Sequence, residues 1–298
     1  MTRYTYKYKS TYEIKNLETD KNTANTYSFI NLSHGRTHYQ YNNNGTGYPI
    51  VLIPGATQSL NTYDAIYDFL VDHSFKVLRF DFYGKGYSDR PYLPYDRNMY
   101  IMQLKELLDK LDINQKVVLI GHSFGGAISV CFVNKFPKRV SNIILISPVV
   151  NCIRKPLGFI LVRTPLFGKF LMHKVVFPKI IERTERVACS NNNSEKMLLF
   201  MEQLSYKGYE RSLFYLFTSN AMRNYKKEYR RLGKVPIKKY LLWGDKDSEI
   251  KLTLMNYIVK HNNGMQFYIL NGMGHSVLLQ GEKLLKEHLM KILNITKN

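Results

Sequence analysis

The sequence predicts an α/β fold in which a mostly parallel sheet is covered by helices on both faces. Three observations carry that expectation. Short apolar runs alternate with stretches of helical period, several of those runs stop at glycine or proline, and the rhythm breaks once, at Pro148, before resuming near Val235. With 298 residues, 45% hydrophobic and 22% charged, the chain can bury one large core with an elaboration.

The first 25 residues are polar and predict an extended lead-in. "NTYSFINL" and "GRTHYQYN" then alternate as a β pair turning at Ser33–Gly35, and "NNNGTG" makes the next turn. "YPIVLIPG" is a continuous apolar run ending at a breaker pair, as a buried strand does. Ile66, Phe69 and Leu70 mark a helix face over 60–71, and "FKVLRFDFYGKG" returns to a strand. Ile101, Leu104, Leu107, Leu108 and Leu111 recur at three and four residues and predict a helix over 99–113. "KVVLIG" is the next strand, and "GGAISVCFVNKFP" a helix that Pro137 stops. "VSNIILIS" is another strand. After the break, "VPIKKYLLWGDKD", a helix over 249–261, "MQFYILNGMGHS" and a final helix over 277–293 restore the alternation. The expected organisation is a core of 26–149 and 233–298 with a mainly helical cap inserted at 150–232.

Charge is the unusual property. The formal net charge is +20, and residues 150–231 hold 16 Lys/Arg against 6 Glu and no Asp. Such a balance suits an anionic membrane surface or an acidic lipid, and equally a compositional drift toward Lys, Asn and Tyr. No zinc-finger spacing, Gly-X-X-Gly clamp or basic-aromatic repeat supports nucleic acid as a partner. Cys131, Cys152 and Cys189 form no paired framework, and no secretory signal or membrane-length apolar segment is read, so a cytoplasmic setting is expected.

The chemistry centres on "GHSFGG". A serine hydroxyl is a weak nucleophile without an adjacent base. Ser123 follows a strand and precedes a helix, which puts its oxygen at the carboxyl end of the sheet, while Gly121 and Gly125 permit the sharp turn. Of eight histidines, His275 in "NGMGHSVLL" best suits the base, lying on a loop after a late strand. His122 adjoins the serine and reads as a shaping residue. "LLWGDKD" offers two acids for the histidine's far nitrogen. Asp247 has the reach past the strand end, and Asp245 suits a hydrogen bond within the turn. The backbone amides of Ala56 and Phe124 are placed to meet charge developing on a substrate oxygen. Asp81 is expected to accept backbone or arginine hydrogen bonds that hold its own loop.

The order Ser123, Asp247, His275, with "IPG", "FDFYGKGYSD", "GHSFGG", "WGDKD" and "GMGH", resembles the α/β-hydrolase fold family over about residues 27–296. That resemblance implies a sheet of about eight strands with a cap inserted after the sixth. It also implies a catalytic triad of Ser123, Asp247 and His275, an oxyanion hole from the Ala56 and Phe124 amides, and no metal or organic cofactor. Within the family the chain is most similar to capped serine esterases and monoglyceride-lipase-like hydrolases. It departs from many relatives at Pro54 and Lys85, and lacks a proline after the acid. The expected substrate is a small-molecule acyl ester, lipid-like by the apolar residues of 156–181. An acyltransferase, lactonase, amidase or carbon–carbon-bond hydrolase would use the same triad, and a non-catalytic ligand-binding or receptor protein is the reading of another class. Oligomeric state is not legible.

Overall fold

The computed structural model describes residues 13–17, 28–151, 161–164, 167–190 and 194–295. Eight strands form one sheet: β1 (Ser28–Leu32), β2 (Gly35–Asn42), β3 (Thr46–Ile53), β4 (Phe75–Phe80), β5 (Val117–His122), β6 (Val140–Ile146), β7 (Lys238–Gly244) and β8 (Gln266–Leu270). Their spatial order is β1-β2-β4-β3-β5-β6-β7-β8. The β1–β2 and β2–β4 pairings are antiparallel, and every pairing from β4 to β8 is parallel.

Two-residue periodicity divides the core between the faces. Val51 and Ile53 of β3 pack in one cluster with Leu104 and Leu108 of α2 (Arg97–Lys110) and Ile128 of α3 (Phe124–Lys135). Ile50 and Leu52 face the other way, toward Ile66 and Leu70 of α1 (Asp64–Asp72). All six residues of β5 are buried, which is why that segment reads as an unbroken apolar run.

Between β6 and β7 the described chain is helical: α4 (Phe167–Leu171), a π-turn over Met172–Val176, α5 (Phe177–Ser190), α6 (Ser194–Ser205), α7 (Tyr209–Thr218) and α8 (Lys226–Leu232). Part of the apolar stretch expected over 156–181, including Phe159, Ile160 and Leu166, lies outside the described residues, as does most of the lead-in. Residues 13–17 run along this helical insertion. Lys15 N–H donates to Ser205 O at 2.8 Å, and the Glu13 carboxylate accepts from the N–H groups of Gly208 and Glu210, capping α7.

The late elements differ in detail from their sequence pattern. The helix expected over 249–261 is α9 (Leu252–Lys260), because Asp247 Oδ1 takes the N–H groups of Glu249 and Ile250 and folds those residues into a turn. The last helix is two, α10 (Val277–Gln280) and α11 (Glu282–Leu293), separated at Gly281. Among the described residues no helix is long and apolar enough to cross a membrane.

Candidate active site

Ser123 stands between β5 and α3 with φ 51° and ψ −116°, a conformation that costs a residue with a β-carbon about 1–3 kcal/mol. The surroundings hold it there. Its N–H donates to Ile146 O at 3.0 Å, and its carbonyl accepts from Val149 N–H at 2.9 Å. Close packing explains the flanking glycines: a β-carbon at 125 would lie 2.2 Å from Ile53 O, and one at 121 would lie 2.6 Å from Ser129 Oγ. The turn therefore lifts the hydroxyl at the end of the central strand while α3 starts directly behind it.

The loop after β8 brings His275 to that hydroxyl. Ser123 Oγ–H donates to His275 Nε2 at 2.9 Å, and His275 Nδ1–H donates to Asp247 Oδ2 at 2.8 Å. Burial pushes the Asp247 carboxyl up, but the His275 hydrogen bond and charge, with the Ile250 and Glu249 amides, outweigh it and hold the group below the usual carboxylate range. It is thus ionised at neutral pH and fixes the proton of His275 on Nδ1, leaving Nε2 to accept from the serine. Asp245 is exposed, and its backbone N–H donates to Leu270 O. Of these two acids, Asp247 is the one bonded to the imidazole.

Two amides complete the constellation. Phe124 N–H is in the first turn of α3, where no helical carbonyl can meet it, and Ala56 N–H lies in the loop after β3. Among the described residues neither has a protein acceptor, so both can receive an oxygen from a substrate.

Several contacts at the site have no signal in the local sequence. His122, expected to shape the turn, is buried and donates from Nε2 to the His275 carbonyl at 2.9 Å. Its Nδ1 lies 3.1 Å from Gln58 Oε1, the atom that accepts from Gly55 N–H at 2.9 Å. One imidazole so touches both the loop of His275 and the loop of Ala56. Glu249 places a second carboxylate 3.8 Å from His275 Nε2, and Arg183 of α5 pairs with it. Asp81 does accept backbone hydrogen bonds, from Leu60 and Tyr87, but its side-chain partner is His38 Nδ1 at 2.6 Å rather than an arginine. The residue that sequence could not weigh is Lys85. It is fully buried, donates to Ser212 Oγ of the insertion at 2.9 Å, and burial lowers its pKa well below the ordinary lysine value.

His122 also makes a pH prediction. Burial, and then the neighbouring His275, pushes its pKa down to about 3 from the ordinary histidine value of 6.5. Between those limits the folded protein binds fewer protons than the unfolded chain, so stability falls as pH drops below about 6.5. By about pH 5 the deficit from this one ring is about 2 kcal/mol. Urea unfolding should show His122→Asn losing about 2 kcal/mol less than the parent between about pH 7 and about pH 5. Equal losses in the two proteins would contradict it.

Among the described residues no group of three or more His, Cys, Asp or Glu side chains could hold a metal ion. A family model described as alpha/beta hydrolase fold matches residues 48–282. The chain belongs to that family. This α/β hydrolase is 24% identical over 279 residues to Lipase 3 of a Moraxella species, which covers 92% of the chain and 86% of the lipase. An uncharacterized protein of Mycobacterium tuberculosis is 35% identical over 103 residues, and that match spans 35% of this chain but only 30% of the relative's length. Among solved structures, an esterase from Exiguobacterium antarcticum superposes with a TM-score of 0.75 at 17% identity, over 90% of this chain and 99% of the esterase. At that identity the likeness speaks for the fold.

Proposed function

We propose that this α/β hydrolase is a serine ester hydrolase acting on lipid-like acyl esters, of the esterase and monoglyceride-lipase-like kind. The observation that carries the reading is the continuous hydrogen-bonded chain from Asp247 through His275 to Ser123, ending beside two amides with open donors. In the mechanism, Ser123 Oγ attacks the ester carbonyl as its proton passes to His275 Nε2. The new oxyanion takes the Ala56 and Phe124 N–H groups, and Asp247 stabilises the imidazolium. The imidazolium then protonates the leaving alcohol. Water, deprotonated by the same nitrogen, attacks the acyl carbon and releases the acid, returning the proton to Ser123.

A lipid-like substrate is supported by the insertion. Leu161, Phe167, Phe170 and Val175 remain exposed there, with Lys174 and Lys179 exposed on the same segment. An apolar surface set among cations suits an anionic lipid interface, and the chain's net charge of +20 has the matching sign. The test is a series of p-nitrophenyl esters of increasing chain length, run beside monoacylglycerols and lysophospholipids. These are offered as free monomers and in vesicles with or without phosphatidylglycerol. The expected result is a kcat/KM maximum at long chains, raised by phosphatidylglycerol and lowered by salt. A maximum at acetate, indifferent to vesicles, would replace this reading with a small closed pocket.

A further inference from the structure

The loop that carries Ala56, between β3 and α1, is tied down from two sides. On the sheet side, Gly55 N–H donates to Gln58 Oε1, against which His122 packs. On the other side the anchor comes from the helical insertion, about 150 residues further along the chain. The Thr57 carbonyl accepts from Tyr209 Oη–H at 2.9 Å and from Gln203 Nε2–H at 3.0 Å.

Both donors are themselves fixed. Gln203 is 3% exposed, and its Oε1 accepts from Gly86 N–H at 3.0 Å. A backbone N–H can only donate, so the amide oxygen faces Gly86 and the NH2 must face Thr57. Tyr209 is fully buried, and burial raises its pKa far above the usual phenol value, so its hydroxyl remains a donor. Lys85 Nζ stands 5.2 Å from the centroid of the Tyr209 ring. The Ala56 N–H sits between the two anchors and, among the described residues, has no protein acceptor of its own.

We propose that Tyr209 and Gln203 are positioning residues for the oxyanion site, so that the helical insertion aims the Ala56 amide besides covering the core. Without the two donors, the Thr57 carbonyl becomes a half-buried acceptor lacking its partners and turns to find others. That rotation twists the adjoining peptides and swings Ala56 N–H away from the developing oxyanion. Complete removal of an oxyanion donor costs about 10²–10³-fold in kcat, and a misaimed donor costs a share of that. The proposal rests on the serine-hydrolase reading for the role of Ser123 but not on any particular ester.

The experiment uses the full chain, with Tyr209→Phe, Gln203→Met and the double variant. Tyr209→Phe removes a single oxygen and keeps the ring against Lys85, so it tests the idea even where Gln203→Met fails to fold. The first readout is the rate of covalent labelling of Ser123 by a fluorophosphonate, whose phosphoryl oxygen enters the same two-amide site. The second is kcat and KM on the best p-nitrophenyl ester, with Tm as the check on folding. The double variant is expected to label and turn over roughly 10–100-fold more slowly. KM should stay within about three-fold and Tm should stay high, since only transition-state contacts are lost. A folded double variant that labels at the parent rate overturns the proposal, as does one that raises KM alone, which is the signature of a substrate wall. A parent protein that labels at Ser123 yet cleaves no ester would refute the ester reading instead, and the labelling rates would still decide this one.

Discussion

Replacing Ser123 by alanine is expected to lower ester turnover by about 10⁴–10⁶-fold and to abolish fluorophosphonate labelling. The reason is that every other contact at the site serves this oxygen. Without Oγ, His275 Nε2 has no proton to take, and the Ala56 and Phe124 amides face a carbonyl that nothing attacks. The variant should nevertheless fold. Alanine keeps the β-carbon, and the hydrogen bonds that hold residue 123 at φ 51° run through its backbone, to Ile146 and Val149. Circular dichroism and Tm should therefore match the parent. Intact protein mass should show one labelled serine in the parent and none in the variant. Turnover or labelling that survives the substitution would move the nucleophile elsewhere and overturn the role given to Ser123.

What the sequence made legible was whatever is encoded locally. The strands β3 to β7 are buried on both faces, so they appear as apolar runs whose ends are marked by glycine or proline. The turn at Ser123 is legible because the positions that admit no β-carbon, 121 and 125, stand within two residues of it. Asp247 could be preferred over Asp245 because reach past a strand end is a local property. Contacts between distant segments leave no such trace. Nothing in "GATQSL" announces that Thr57 will meet residues 203 and 209, nor in "DKDSEI" that Glu249 will pair with Arg183. Lys85 is the clearest case, since a lysine between two glycines reads as a solvated loop until Ser212 and Tyr209 close over it. Glu13 likewise reads as part of a polar lead-in, although it caps a helix almost two hundred residues away.

The second large effect is expected at Asp247. Asp247→Asn should lower kcat by about 10⁴-fold, while Asp245→Asn should stay within about two-fold of the parent. The argument turns on tautomers. Asp247 Oδ1 is claimed by the Glu249 and Ile250 N–H groups, at 2.8 and 2.9 Å, so an asparagine there must keep its oxygen on that side. Its NH2 then faces His275 Nδ1, a donor against a donor, unless the imidazole moves its proton to Nε2. In that tautomer Nε2 points a hydrogen at Ser123 and can no longer act as a base. Geometry would look almost unchanged, and activity would be lost. Glu249 cannot stand in, because its carboxylate is 3.8 Å from Nε2 and not at Nδ1. Folding carries a smaller, pH-dependent mark of the same pair. The Asp247 carboxyl sits below its ordinary pKa of 3.8, so it adds stability above that pH and loses it as pH falls through the folded value. Steady-state kinetics of the two asparagine variants, side by side at neutral pH, gives the decision. A collapse in Asp245→Asn with Asp247→Asn left active would mean that the exposed carboxylate, not the one bonded to the imidazole, orients the base.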